Sequence, residues 1–73
     1  MEQKYYWVLF SYNYKSIMQK LQCLADIHPI KVQNRLNEYY TLMNWKELTK
    51  AEYDQFLTYV IHYTDIKNRI TII

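Results

Sequence analysis

Ile30-Lys31-Val32-Gln33-Asn34-Arg35-Leu36-Asn37-Glu38-Tyr39-Tyr40-Thr41-Leu42-Met43-Asn44-Trp45 admits two readings, and the fold follows from the choice. As strands, Ile30, Val32 and Leu36 alternate with Lys31, Gln33 and Arg35, and a turn at Asn37-Glu38 leads into Tyr39–Trp45. As a helix, Val32, Leu36, Tyr39 or Tyr40, and Met43 recur every three to four residues, with Pro29 suited to the first turn. Asn34, Asn37 and Asn44 are poor helix residues. Tyr39-Tyr40-Thr41-Leu42 is strong strand material. The balance predicts a hairpin over residues 30–45.

Upstream, Tyr5-Tyr6-Trp7-Val8-Leu9-Phe10-Ser11-Tyr12 is a nearly unbroken aromatic and β-branched run. That is the pattern of a central strand covered on both faces. Between it and the ambiguous stretch, Ile17, Leu21, Leu24 and His28 share one stripe at helical spacing. Asn13 or Ser16 is placed to cap a helix over Ser16–Ile27, and Pro29 to end it. Downstream, Thr49-Lys50-Ala51-Glu52 is a capping box, with Leu48 available to staple against Tyr53. Tyr53, Phe56, Leu57, Val60, Ile61 and Thr64 form the apolar stripe of the helix that follows. Arg69-Ile70-Thr71-Ile72-Ile73 reads as a terminal strand.

The order is therefore strand, helix, strand, strand, helix, strand in one α+β domain spanning residues 1–73. It resembles the ferredoxin-like split βαβ arrangement (βαββαβ), which implies one antiparallel sheet with two helices on one face. A mostly helical domain with a terminal strand pair is the alternative, should residues 30–43 be helical. Superfolds of this kind host unrelated activities, so function has to come from a site.

Composition narrows the functions. The chain has no glycine, which removes Gly-rich phosphate loops, nucleotide fingerprints and nucleophile elbows. Turns that need a left-handed residue then fall to the asparagines. A single cysteine, Cys23, excludes an internal disulfide, and two distant histidines with one cysteine match no zinc-ligand spacing. His28 sits at the expected helix end before Pro29, suited to bonding terminal carbonyls, and His62 lies on the polar side of the second helix. Glu47, Glu52 and Asp54 suit a helix start. No nucleophile–base pair is visible. We expect no enzyme, no cofactor and no metal. Nine basic residues against seven acids leave +2 with no basic block. No apolar run approaches the eighteen or so residues of a membrane span. With no signal-peptide pattern, a cytoplasmic location is expected.

Nine tyrosines, two tryptophans and two phenylalanines in 73 residues are the positive signal. A domain this small buries only about 60% of its unfolded surface, too little to hide so many rings. On the ferredoxin-like arrangement, strand alternation gathers Tyr5, Trp7, Tyr39, Met43 and Trp45 on the open face. That face is expected to bind a partner protein or to close a homodimer. It also resembles the RNA-recognition fold, whose central-strand aromatics stack bases, which implies single-stranded nucleic acid as an alternative partner. The Gly- and base-containing motif of that family is missing. This glycine-free, tyrosine-rich chain, heavy in Lys, Asn and Ile, resembles the low-GC reading frames of phages and mobile elements. The expectation is a small inhibitor of a host enzyme or defence system.

Overall fold

The computed structural model describes residues 3–36 and 39–66. Three strands form one antiparallel sheet: β1 (Tyr5–Tyr14), β2 (Ile17–Ala25) and β3 (Tyr40–Leu48), in the order β2-β1-β3. Helix α1 (Pro29–Arg35) lies between β2 and β3. Helix α2 (Lys50–Phe56) follows β3, and a 3-10 turn spans Tyr63–Asp65. The molecule is elongated, 39 × 23 × 18 Å.

The aromatic run does form the central strand, and both of its faces are apolar. Residues directly opposite one another in an antiparallel pair point to the same face. The pairing therefore puts Tyr6, Val8 and Phe10 with Ala25, Cys23 and Leu21 on one face, and Tyr5 and Trp7 with Leu48 and Leu24 on the other. Val32 and Leu36 of α1, with Tyr63 and Ile66, close the first face over Val8, Phe10, Cys23 and Ala25. Tyr53 of α2 and Val60 close part of the second, over Leu24 and Leu48. The two helices thus cover opposite faces. This corrects the expected sandwich with both helices on one face. Large side chains on both sides of β1 each need a cover, and one helical layer supplies only one.

The stretch expected as the first helix is strand β2. Its Met, Gln, Lys, Leu and Ala are good helix formers. The competing period of two, Leu21, Cys23 and Ala25, prevails because it packs against Phe10, Val8 and Tyr6 across the pair. Local propensity yields to that burial. Cys23, inside the stretch expected to be helical, is accordingly a buried strand residue.

Residues 30–45 divide between the two readings. Tyr40–Trp45 lies in a strand as expected, but Ile30–Arg35 is helical, not the first arm of a hairpin. Pro29 starts this helix instead of ending one. His28 caps it, its Nδ1 accepting from the Ile30 amide at 3.2 Å, whereas terminal carbonyls were the expected partners. Gln33 supplies the reason the segment sits beside β3: its Nε2 donates to the Tyr40 carbonyl at 2.8 Å, and its Oε1 accepts from the Leu42 amide at 2.8 Å. One side-chain amide thereby meets the first outward groups of β3 as a peptide group would.

The capping box of α2 is present in both directions: Glu52 N to Thr49 Oγ1 at 3.1 Å and Thr49 N to Glu52 Oε1 at 3.0 Å. The Thr49 backbone donor holds the Glu52 carboxyl below its ordinary range. Leu48 and Tyr53 share one core cluster, as a staple requires. The helix is shorter than its stripe implied. Leu57 is its C-cap and is 43% exposed, so the stripe does not continue through it. The chain leaves because Ile61 accepts from the Leu24 amide at 2.8 Å, drawing residues 57–61 to the β2 edge. His62 caps the 3-10 turn rather than lying on a helix. The expected strand Arg69–Ile73 lies outside the described residues.

Candidate interaction surface

The β1–β2 hairpin runs past the rest of the sheet. The last β1–β3 pair is Tyr12 with Tyr40, while β1 and β2 continue through Asn13–Met18 and Tyr14–Ile17. Every residue from Asn13 to Lys20 is exposed. A two-residue turn closes this arm, with Lys15 at φ 52° and Ser16 at φ 66°. Two consecutive left-handed residues match the hairpin turn whose twist suits paired strands. The asparagines expected in such positions are not the ones used. Neither Lys nor Ser is at ease there, so the rest of the hairpin holds the turn in place.

Apolar side chains sit on this arm without cover. Ile17 is 60% exposed and Met18 66%, and Tyr14 is beside them with the Lys15 ammonium 5.3 Å from its ring centroid. The arm is also one-sided in charge. Residues 3–25 contain Lys4, Lys15 and Lys20 and no acid. Lys4 meets Glu47 at 3.8 Å, while Lys15 and Lys20 form no ion pair among the described residues.

The backbone of β2 adds a third property. Antiparallel partners alternate between pairs that exchange hydrogen bonds and pairs whose N–H and C=O groups point away. Leu24 points away from β1, because its amide bonds Ile61. By alternation Gln22, Lys20 and Met18 point the same way. Among the described residues, nothing pairs with them: only Leu24 is bridged, to His62. The outer edge of β2 therefore offers donor and acceptor groups over about 13 Å, while at the start of β3 the outward Tyr40 carbonyl and Leu42 amide are taken by Gln33.

The five residues singled out from sequence are not gathered on one face. Tyr5 lies under α2, its ring centroid 4.6 Å from that of Tyr53. Trp7 is on the same face, half-buried, its indole donating to Gln22 at 2.9 Å. Trp45 pairs with Val8 on the opposite face, edge-on to Tyr6 and to His28 at 5.8 and 5.2 Å. Met43 is the extra residue of a β-bulge, since Leu9 pairs with Asn44 and Phe10 with Leu42. Tyr39 precedes β3 and is 68% exposed. Sequence reasoning missed the arm because a helix was assigned over it. The period of two in Leu21, Cys23 and Ala25 was the available signal.

Chemistry at Cys23 is suppressed, for it is fully buried and burial pushes its thiol up to about 12. His62 Nε2 lies 3.5 Å from the Asp26 carboxylate, a pair that ties the β2 end to the 3-10 turn. No helix of the described residues is long and apolar enough to cross a membrane. Comparison with protein-family models, with curated proteins and with solved structures returned no match for this chain.

Proposed function

We propose that this protein is a small non-catalytic binding module that engages a partner protein through the projecting β1–β2 arm. The observation that carries this reading is the arm itself: a hairpin extending beyond its sheet with Ile17, Met18 and Tyr14 exposed at its end. Solvent-exposed apolar groups on a projecting element are what a partner would cover. An inhibitor of a host enzyme, phage-encoded and cytoplasmic, is the specific form of this reading that the composition favours. Its simplest mechanism is obstruction, the arm occupying a groove on the target.

A second set, Tyr39, Met43 and Trp45, is exposed in or beside β3 and provides the competing surface. The test compares the two. Tagged protein captures partners from a cell lysate at moderate salt, and the capture is repeated with Ile17→Ser/Met18→Ser and with Met43→Ala/Trp45→Ala. Capture should be lost in the arm variant and retained in the β3 variant, both remaining folded by circular dichroism. Retention by the arm variant and loss by the β3 variant would move the interface to β3. Strongly salt-sensitive retention on single-stranded DNA would favour the nucleic-acid alternative.

A further inference from the structure

We propose that the outer edge of β2 from Met18 to Gln22 receives an extended, acidic segment of a partner protein as an added fourth strand. This deepens the binding reading above and rests on it. Three observations converge. By alternation, Met18, Lys20 and Gln22 turn their N–H and C=O groups outward, and among the described residues nothing meets them. On the opposite edge of the sheet, the Gln33 amide already occupies the Tyr40 carbonyl and the Leu42 amide, which leaves β2 the longer unmet row at the arm's end of the sheet. Lys15 and Lys20 border the open edge with no acid on either strand of the arm.

Those groups select the occupant. A row alternating donor and acceptor is satisfied by another peptide backbone. A phosphate backbone supplies acceptors alone and lacks the alternating donors that a peptide backbone presents at the strand repeat. A second copy of this chain supplies a backbone, but it brings its own Lys15 and Lys20 to the seam and no acid to offset them. Like charges across a strand pair are unfavourable, and opposite charges favourable. An added strand with a carboxylate opposite Lys20 meets both requirements. Side chains alternate along it, so those beside Met18 and Lys20 share a face while the intervening ones meet Gln19 and Leu21.

The probe is a short capped peptide of alternating valine and glutamate, compared with its valine–lysine counterpart and with a form N-methylated on alternate residues. Binding is followed by amide shifts and hydrogen exchange in the full chain. The expected result is slowed exchange at Met18, Lys20 and Gln22, several-fold weaker binding of the lysine peptide, and loss of binding on N-methylation in one of the two phases. Lys20→Pro should abolish binding while leaving the fold intact, because its amide points away from β1 and an edge strand tolerates such a proline. Lys20→Glu, which keeps the backbone, should instead invert the preference between the two peptides.

Equal affinity for both peptides, or for both N-methylated phases and the parent, would overturn the proposal. So would protection of Met18, Lys20 and Gln22 in the free monomer, or a self-associated state protecting them in concentrated protein. If the peptides fail while Ile17→Ser/Met18→Ser still abolishes partner capture, strand addition falls and the binding arm stands. If the arm variant captures as well as the parent, the binding reading falls too.

Discussion

Leu57 and Phe10 show how exposure separates residues that look alike in the sequence. Both are large apolar side chains, but Phe10 is wholly buried and Leu57 is 43% exposed. Phe10→Ala should cost about 3–5 kcal/mol, close to the whole stability of roughly 5 kcal/mol expected for so small a core. Leu57→Ala should stay within about 0.5 kcal/mol. Urea unfolding of the two variants checks the pair. The same scale governs Cys23. Its thiol is raised from 9.0 to about 12 by burial, so the stability it contributes is fully present below pH 9.0 and is lost as pH rises toward about 12. Tyr40 and Tyr53, also raised chiefly by burial, act in the same direction. Denaturation midpoints should therefore fall with alkaline pH, less steeply in Cys23→Ala. A thiol reagent at neutral pH should label the folded protein only at the rate at which it opens.

Turns and edges decide matters at the scale of the element. Lys15 and Ser16 occupy left-handed positions that asparagine and glycine fill more easily. Lys15→Asn with Ser16→Gly should raise stability by about 1–2 kcal/mol, seen as a melting temperature several degrees higher. Gln33→Leu should act in reverse. It leaves the Tyr40 carbonyl and Leu42 amide without their partner, costs about 1–3 kcal/mol, and lengthens the unmet outer edge of β3, so concentration-dependent association should accompany the lower melting temperature. Much of this level was legible. The Thr49–Glu52 box marks α2, and the aromatic run marks β1, because both signals are local. Helix formers in β2 concealed the strand, since its conformation is set by Val8 and Phe10 across the sheet. Nor does Gln33 announce itself, for its partners lie seven and nine residues away.

The described residues form a sheet with a cover on each face and the Met18–Gln22 edge of β2 unmet among them. Aromatic surplus in the sequence implied rings at the surface, and Tyr14, Tyr39, Trp45 and Tyr59 are exposed, though scattered and joined on the arm by Ile17 and Met18. Their location was not legible, because placing a face requires strand order, and strand order depended on β2. With β2 in place, the arm and its outward backbone groups form the proposed site, and the proposed function turns on whether that edge is available. Residue-resolved amide exchange on dilute monomer tests this most directly. The account predicts alternation along β2: Gln19, Leu21, Cys23 and Leu24 slow, Met18, Lys20 and Gln22 fast. Unbroken slow exchange from Met18 to Leu24, whether from a helix or from an edge already paired, would contradict it.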